Sequence, residues 1–489
     1  MKTCEVEQFK KQPWQLKDIQ KFKKLAPWSC NFNKMGAYKT STALWLIEDL
    51  KIPFALVITT KTGKGSYFSD APRTIPGWRI INIDNKGAYQ VLLDNDIQIK
   101  VDLDKLLKEL PKSNKPTLIV THYHLYTNRS KMLAPLLKIK WPFILVDEAH
   151  RMKNRKAQWT KNIKKLKTTP KGYKHIMTGT GFINSPDELW SSLNFCDKSD
   201  FSSYWRFRHY YCEEMVIGGF SKIIGIQQAH LADFREMREK ISTSRTMQEV
   251  HPHITKPIRR EIPVVLSLVQ RRMFDEIKAD LFTLDQQGFA ITSPNVVSQL
   301  QRLRAICVAT PEIVEDYFDE KEQRRIQKIR LTEPSTKLDA LMQFIEGLSW
   351  DVEHRDQVVV YSNFVGPLSL LEARLVKSHV SYLWMVAKHN DTQRYSMWHD
   401  QWPQKTHQVF MCTLQLGSES INLSSAQYVA FLDRSWSPKD NEQAESRLWR
   451  PGQKGVVEVV DIIAAKTTDQ RILKTNERKL GWYADIFGD

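Results

Sequence analysis

The chain has few cysteines and no long apolar run. Its six cysteines are scattered through 489 residues, with neither a CxxC pair nor a tight cysteine–histidine cluster: Cys4, Cys30, Cys196, Cys212, Cys307 and Cys412. This spacing argues against a zinc module or a disulfide framework and is typical of a reducing compartment. No apolar run approaches the roughly 18 residues of a membrane span, and the first residues lack the apolar core of a secretory signal. We therefore expect a soluble intracellular protein.

Acidic residues are scarce relative to basic ones. The 72 lysines and arginines exceed the 55 acids, for a formal charge of +17 and a pI near 9.4. Such an excess favours a polyanionic partner, most often nucleic acid, although many ordinary proteins are also basic. The length is too great for one hydrophobic core and predicts two to three domains.

Short apolar, β-branched segments alternate with segments of helical spacing in both halves of the chain. In the first half they are residues 54–60, 78–83, 116–121, 141–150 and 175–180; in the second, 356–364, 407–413, 428–433 and 456–463. Buried parallel strands have this appearance, so the pattern predicts an α/β fold with two doubly wound parallel sheets. Residues 185–335 are more charged and amphipathic and predict inserted helices. We expect a first lobe over 1–250, a linker with inserted helices over 251–335, and a second lobe over 336–489.

The segment "KMGAYKTST" (34–42) resembles a phosphate-binding loop with one substitution. Its Gly36, Lys39 and Thr40 fit such a loop, but Tyr38 replaces the glycine that precedes the lysine. In a working loop, the backbone amides and Lys39 bind the β- and γ-phosphates, and Thr40 contacts Mg²⁺.

The segment "ILVDEAH" (144–150) is an apolar strand that ends in two acids. Asp147 could hold Mg²⁺ through water, and Glu148 could orient and deprotonate an attacking water. The alternative is a strand-to-helix turn with a capping acid. Together with the loop at Lys39, the sequence favours the catalytic interpretation.

The segment "QAESRLWRPGQ" (443–453) carries Arg447 and Arg450 three residues apart. On a helix both would point to one side, as arginine fingers offered to a triphosphate require. A solvated helix face is the alternative.

Residues 151–174 contain ten lysines or arginines and no acid. Lys161, Lys164 and Lys165 are candidate phosphate contacts, although a charged run is more often a solvated face. Trp159, Trp436 and Trp449 could stack on bases, but such side chains more often pack in cores.

Seven motifs together resemble the Swi/Snf-type ATPases, the double-stranded-DNA-translocating branch of helicase superfamily two. They lie in the family's order within residues 13–465: "PWQLKDIQKF" (13–22), "IVTHYHLY" (119–126), "DEAHRMKN" (147–154), "MTGT…INSPDELWSSLNF" (177–195), "STKLDALMQFI" (335–345), "VVVYSNF…LSLLEARL" (358–375) and "DRSWSPKDNEQAESRLWRPGQ" (433–453).

This resemblance implies two RecA-like lobes that use ATP and Mg²⁺ and bind double-stranded or branched DNA as a monomer. It implies that Gln15 reads adenine, that Gly36, Lys39, Thr40, Asp147 and His150 bind the nucleotide, and that Thr40 and Asp147 hold the metal. Glu148, Gln443, Arg447 and Arg450 are then catalytic. The DNA-binding or coupling residues are Thr121, Thr178, Gly179, Thr180, Lys161, Lys164, Lys165, Asn363, Thr413 and Trp436. The second lobe would begin at Ser335 to Leu338.

Three departures from the family accompany the resemblance. They are Tyr38, Gly181 in place of a usual proline, and serines in "GSESINL" (417–423) where glycines are expected. A DNA-binding clamp that hydrolyses little ATP is therefore the alternative to a DNA motor. The size, without an appended module, resembles bacterial or phage members, which implies the bacterial cytoplasm.

Overall fold

The computed structural model describes residues 8–91, 98–293, 295–320, 324–351, 354–417 and 421–488. They belong to two units, one running to His251 and including the segment from Lys479, the other running from Pro252 to Arg478. The first boundary lies next to the predicted end of the first lobe at 250. The segment from Lys479, which the pattern assigned to the second lobe, clusters with the first unit because Tyr483 and Phe487 pack in its hydrophobic core.

The first unit is built on a nine-stranded sheet. Its strands run in the order β11-β1-β8-β7-β2-β6-β3-β4-β5, parallel from β11 to β3 and antiparallel at β4 and β5, and β9 and β10 form a separate hairpin. The five predicted strands of this half are β2, β3, β6, β7 and the end of β8. The strands are β1 (Trp28–Asn31), β2 (Phe54–Thr59), β3 (Arg79–Asp84), β4 (Gly87–Val91), β5 (Gln98–Val101), β6 (Thr117–His122), β7 (Lys140–Asp147), β8 (Lys167–Met177), β9 (Cys212–Ile217), β10 (Phe220–Ile226) and β11 (Ser242–Thr243).

Helices cover both faces of this sheet. Along β2, Leu56 and Ile58 enter one hydrophobic cluster while Ala55 and Val57 enter another, so the strand is buried on both sides. The helices are α1 (Pro13–Lys24), α2 (Lys39–Asp49), α3 (Lys64–Thr74), α4 (Leu103–Glu109), α5 (Leu133–Lys138), α6 (Gln158–Ile163), α7 (Trp190–Cys196), α8 (Tyr204–Tyr211), α9 (Leu231–Ile241) and α10 (Met247–Val250).

The second unit contains a six-stranded parallel sheet in the order β12-β21-β20-β17-β19-β18. Val359 and Tyr361 of β17 face one core cluster, and Val358 and Val360 face the other. The strands are β12 (Ile258–Val264), β13 (Phe282–Leu284), β14 (Ala290–Thr292), β15 (Thr310–Asp319), β16 (Arg324–Thr332), β17 (Val358–Ser362), β18 (Tyr382–Met385), β19 (Val409–Thr413), β20 (Tyr428–Phe431) and β21 (Glu458–Ala464).

The helices of the second unit begin with two that the amphipathic pattern predicted, α11 and α12. Ser335 caps the next helix, its hydroxyl accepting from the Leu338 amide (3.2 Å), where the second lobe was predicted to begin. The helices are α11 (Leu268–Asp280), α12 (Val296–Val308), α13 (Thr336–Glu346), α14 (Val365–Lys377), α15 (Asp391–Tyr395), α16 (Leu414–Gly417), α17 (Pro438–Glu445) and α18 (Thr468–Phe487), whose residues from Lys479 onward belong to the first unit.

The segment 185–335 is not purely helical. Besides its helices it contains three antiparallel hairpins, β9–β10, β13–β14 and β15–β16. Their strands carry exposed charged and apolar side chains, so they lack the apolar alternation that marks a half-buried strand. Within the part of the chain that the structure describes, no helix is long and apolar enough to cross a membrane.

Candidate active site

The chemistry-bearing residues of the first unit follow strands whose carboxyl ends share one edge of the sheet. The segment after β1 leads into the phosphate loop, Thr59 ends β2, Asp147 ends β7 and Thr178 follows β8. Neighbouring parallel strands bring such residues together, and ligands of open α/β sheets bind at this edge.

The phosphate loop ends at a helix N-terminus. Tyr38 precedes α2 in the left-handed conformation (φ 42°), and Lys39 is the first helical residue. The Lys39 ammonium donates to the Lys34 carbonyl (3.0 Å), while His251 Nε2 lies 3.2 Å from the Gly36 carbonyl. The Tyr38 ring, 46% exposed, meets the His251 ring edge to face at 5.3 Å. Amides and a helix dipole directed out of the loop suit an anion such as a phosphate.

Gln15 is fully buried and connects α1 to the helix that follows the phosphate loop. Its amide nitrogen donates to Thr42 Oγ1 (2.9 Å) and lies 3.4 Å from Ser41 Oγ, and its oxygen accepts from the Gln12 amide (2.9 Å). The predicted adenine reader is therefore held next to α2 in one orientation. Its contact with adenine stays a prediction.

Two carboxylates meet at the end of β7. Asp147 accepts from Thr59 Oγ1 (2.7 Å) and from the Glu148 amide (2.8 Å). Burial, followed by the adjacent Glu148 carboxylate, raises the pKa of Asp147 to about 6, and the nearby Lys39 charge opposes this rise. Thr40 lies half-buried in the first turn of α2. A carboxylate that burial disfavours in its charged form is one that a cation would stabilise.

Glu148 has a strained backbone and is tied to the loop after β8. Its φ is 49°, which costs a non-glycine residue about 1–3 kcal/mol. The Thr178 hydroxyl donates to the Thr180 carbonyl (2.8 Å), so His150 Nδ1 donates to Thr178 Oγ1 (3.0 Å). The same nitrogen lies 3.1 Å from Glu148 Oε2. A buried imidazole thus joins the second carboxylate to the loop.

This loop also contacts the C-terminal segment. The Tyr483 hydroxyl donates to the Gly179 carbonyl (3.2 Å). At Gly181 a Cβ would lie 2.4 Å from Phe487 Cζ, so the ring occupies the space that any larger residue would need. The departure at Gly181 therefore has a packing explanation.

Thr121 is buried within the first unit. It is fully buried at the end of β6, where its hydroxyl donates to the Val57 carbonyl (2.7 Å) and lies 3.0 Å from Tyr126 Oη. Because this hydroxyl is buried, Thr121 would act on DNA through its neighbours rather than by direct contact, and its DNA-binding or coupling role stays a prediction. The following Tyr123 donates to the Asp147 carbonyl (2.6 Å) and so supports the end of β7.

The three candidate lysines differ in exposure. Lys161 and Lys165 are exposed, and Lys165 donates to Asn162 Oδ1 (2.9 Å). Lys164 donates to Asn194 Oδ1 (2.9 Å), and burial lowers its pKa to about 8. The basic stretch is therefore partly structural, with Lys161 and Lys165 better placed for a phosphate than Lys164.

In the second unit, Asp433 organises the ends of β17 and β20. It accepts from Ser362 Oγ (2.6 Å), from the Asn363 side chain (2.6 Å) and from Arg304 (3.1 Å). Asn363 is thereby fixed at the carboxyl edge of the sheet. Thr413, half-buried, ends the neighbouring strand β19 at the same edge.

Arg447 and Arg450 do not lie on a helix, contrary to the prediction. Helix α17 carries Gln443 but ends at Glu445, and both arginines follow in turns. The next residues are Pro451, which restricts its predecessor to non-helical conformations, and Gly452 at φ 100°. The two arginines therefore lie in a loop at the end of α17.

Contacts in the second unit position this loop. Arg450 Nη1 donates to the Ile421 carbonyl (3.1 Å), and the Arg447 carbonyl accepts from the Leu423 amide (3.0 Å). The Arg447 charge lies near the buried Tyr361, where it opposes the rise that burial causes in the pKa of that phenol.

The tryptophans considered for base stacking are largely engaged in packing. Trp449 Nε1 donates to the Thr255 carbonyl (2.9 Å), Trp159 Nε1 donates to the Arg151 carbonyl (3.2 Å), and Trp436 is half-buried between β20 and α17. Trp205 is exposed, and in the sequence it is marked only by the aromatic and basic residues around it.

The residues fit Mg²⁺ bound together with a nucleotide rather than a metal held by protein alone. Among the described residues, no group of three or more histidine, cysteine or acidic side chains could hold a metal ion. Mg²⁺ is typically bound through one or two carboxylates, the remaining positions being water and substrate phosphate. Asp147, with the Thr40 hydroxyl, supplies a donor set of that kind.

Two family models match the chain in succession, the SNF2-related domain over residues 81–312 and the helicase conserved C-terminal domain over residues 336–452. The two matches follow one another along the chain in the order of the recognised motifs. The chain belongs to the Swi/Snf-type ATPases of helicase superfamily two, as its motifs indicated.

Curated relatives include proteins of chromatin and DNA repair. Protein CHROMATIN REMODELING 5 of Arabidopsis thaliana is 24% identical over 465 residues, which cover 92% of this chain and 25% of that protein. SWI/SNF-related matrix-associated actin-dependent regulator of chromatin subfamily A member 1 of Mus musculus is 25% identical (92% and 40% covered). DNA repair and recombination protein RAD26 of Saccharomyces cerevisiae is 25% identical (76% and 33% covered). The chain thus spans two-fifths or less of the length of these relatives.

A solved structure, the Sulfolobus solfataricus SWI2/SNF2 ATPase core in complex with dsDNA, is 18% identical. The match covers 99% of this chain and 93% of that one, with a TM-score of 0.41.

Proposed function

We propose that the protein is an ATP-driven motor that moves along or remodels double-stranded or branched DNA. The observation that carries this proposal is the hydrogen-bonded connection from Glu148 through His150 to Thr178 and Thr180. It offers a physical link between the carboxylate that acts on water and a loop assigned to DNA coupling.

Nucleotide binding rests mainly on the first unit. Lys39 and the amides at the start of α2 hold the β- and γ-phosphates, Gln15 reads adenine, and Thr40 and Asp147 hold Mg²⁺. Bound Mg²⁺ would neutralise charge on the phosphate oxygens. The partly buried position and raised pKa of Asp147 support this assignment, because such a carboxylate is stabilised by a positive neighbour.

Hydrolysis requires a base and a source of positive charge. Glu148 orients the attacking water and accepts its proton while the water oxygen bonds to the γ-phosphorus and the bond to the β-phosphate oxygen breaks. Gln443, Arg447 and Arg450 stabilise the charge that develops on the transferring group. Two observations support these roles. The three residues belong to the family motif, and Gln443 lies at the end of α17 while both arginines lie in the loop that follows it.

DNA binding is proposed through phosphates. The charge of +17 and the exposed Lys161 and Lys165 support it. Asn363, Thr413 and Trp436 are proposed contacts at the carboxyl edge of the second sheet. A phosphate-based grip predicts nearly sequence-independent binding and a linear fall of log K with log salt.

A clamp that binds DNA and hydrolyses little ATP is the second candidate. Tyr38 is the observation that favours it, because a bulky, strained residue stands where the family has glycine. The retention of Lys39, Asp147, Glu148 and Arg450 favours the motor.

The experiment is an ATPase assay with and without duplex DNA. The motor predicts turnover that DNA stimulates, and a fall of at least ~10²-fold in Glu148→Gln, which keeps the shape of the side chain but removes the base. Glu109→Gln, an exposed acid at the end of α4, is the matched control and should behave like the wild type. Turnover that is negligible in the wild type, with normal DNA binding, would instead favour the clamp.

A further inference from the structure

Helix α8 presents a half-exposed tryptophan. Trp205 is 52% exposed, and it is the only one of the fifteen tryptophans, all of which lie in the described part of the chain, with more than half of its surface exposed. A tryptophan that stays in contact with water gives up much of the hydrophobic free energy that it would gain if a ligand covered its ring.

The Trp205 ring is surrounded by aromatic and cationic groups. The Tyr204 ring meets it edge on at 5.1 Å, and the His209 ring lies 5.8 Å away with its plane only 19° from that of the indole. The guanidinium groups of Arg208 and Arg155 lie 5.5 Å and 5.8 Å from the ring centre.

These neighbours are themselves held in place. Arg208 donates to Glu214 Oε2 (2.8 Å) and to the Ser221 carbonyl (3.2 Å). The Tyr204 hydroxyl donates to Asp187 Oδ2 (2.6 Å), and the Arg155 guanidinium lies 4.1 Å from the Tyr204 ring centre. Because its neighbours are already held in place, the indole should lose little conformational entropy when a flat ligand binds to it.

The electrostatic surroundings favour an anion. Arg155 belongs to the basic stretch 151–174, Arg206 is an exposed residue of the same helix, and the His209 side chain is 64% exposed. Glu214 neutralises part of this charge, because it pairs with both Arg208 and His209. Arg155 and Arg206 are the cations best placed to meet phosphates.

We propose that Trp205 and His209 form a stacking surface for an unpaired base, with Arg155 and Arg206 holding the adjoining phosphates. A paired base inside a duplex has both faces covered by its neighbours, whereas an unpaired base offers a face to an aromatic ring. The occupant is thus the single-stranded segment of a branched or forked DNA. This inference rests on the proposed function and names the DNA structure that the motor distinguishes.

The test compares equilibrium binding to three DNAs, a blunt duplex, a fork of the same sequence with single-stranded arms, and a free single strand. Trp205→Ala is expected to weaken binding to the fork and the single strand by about 5- to 150-fold, the range measured for loss of one stacking platform. Duplex binding and duplex-stimulated ATP turnover should stay at wild-type values. Trp205→Phe, which keeps an aromatic face, should retain most of the fork affinity.

Tyr210→Ala is the matched control. Tyr210 is an exposed aromatic on the same helix (40%), but its ring stacks on His230 (3.8 Å) and its hydroxyl donates to Asp233. Its replacement should leave all three affinities unchanged. If Trp205→Ala unfolds at a lower temperature than the wild type, Trp205→Leu, which keeps a larger apolar side chain than alanine but no ring face, replaces it in the same assay.

Wild-type fork affinity in Trp205→Ala or its Leu substitute, or an equal loss on duplex and fork, would overturn the proposal. A loss limited to binding of another protein would identify the patch as a protein interface and also overturn it. If the proposed motor function is itself wrong, a different result shows it: the wild type would lack ATP turnover that duplex DNA stimulates.

Discussion

His150 Nδ1 lies 3.0 Å from Thr178 Oγ1 and 3.1 Å from Glu148 Oε2, so one buried imidazole contacts both the proposed base and the loop after β8. A displacement of the loop would therefore move His150 and, through it, change the position of the Glu148 carboxylate. The contact gives a structural basis for the proposed coupling of ATP turnover to DNA.

Replacing His150 should therefore uncouple the two activities. In His150→Ala, ATP turnover without DNA should fall moderately, while most of the stimulation by DNA is lost, because the carboxylate no longer contacts the loop. The measurement is the ratio of turnover with and without duplex. Thr178→Val should act in the same direction and Thr178→Ser, which keeps the hydroxyl, should not. Full stimulation in both His150→Ala and Thr178→Val would show that coupling takes another route.

Tyr38 should be tolerated rather than required. Tyr38→Gly removes a side chain from a left-handed backbone position and should relieve about 1–3 kcal/mol of strain. ATP affinity, measured by calorimetry, should be equal or higher. Lys51→Gly is the matched control, since Lys51 also has a positive φ (52°) at the far end of α2. A collapse of ATP binding in Tyr38→Gly alone would show that the tyrosine itself contacts nucleotide or holds the loop.

Gly181 should resist enlargement as long as Phe487 is present. A Cβ there meets the Phe487 ring at 2.4 Å, so Gly181→Ala should destabilise the protein by about 1–3 kcal/mol in urea unfolding. Gly65→Ala is the control, because a Cβ at Gly65 meets nothing within 4 Å. In a double-mutant cycle, Gly181→Ala should lower the free energy of unfolding much less when Phe487 is also replaced by alanine. If the losses of the two single variants simply add in the double variant, the Phe487 ring is not what excludes a side chain at position 181.

Stability should fall as the pH drops below about 6.5. Burial lowers the pKa of His175 to about 3 and that of His122 to about 4, so both stay neutral in the folded protein while their unfolded counterparts take up a proton below about 6.5. Each then reduces the free energy of unfolding by up to about 1.4 kcal/mol per pH unit until its folded pKa is reached. Urea unfolding between pH 7 and 5 measures this slope. His175→Gln should make it shallower, and an unchanged slope would contradict the assignment.

The strands and the motifs of the candidate nucleotide site could be recognised in the sequence because their signals are local. Buried parallel strands such as β2 and β17 are continuous apolar runs. Asp147 ends β7 and Lys39 begins the helix after β1, and parallel topology brings these positions to one edge of the sheet. The prediction that Arg447 and Arg450 lie on a helix was wrong. Their three-residue spacing suggested a helix, but α17 ends at Glu445, before Pro451 and Gly452.

Other features depend on contacts between distant parts of the chain. The packing of Phe487 on Gly181 and the burial of Thr121 arise from tertiary structure that no local pattern encodes. Exposure of Trp205 is likewise decided by what the fold leaves uncovered, since buried and exposed tryptophans look alike in sequence.

Movement along DNA is the central claim of the proposed function. Displacement of a triplex-forming strand from duplex DNA measures such movement directly, because the third strand is removed only when a motor passes. We predict ATP-dependent displacement by the wild type and none by Glu148→Gln or Arg450→Ala, the latter keeping near-normal ATP and DNA affinity since an arginine finger acts mainly in the transition state. A wild-type protein that binds duplex and hydrolyses ATP without displacing the strand, or an Arg450→Ala variant that displaces it at the wild-type rate, would contradict the account.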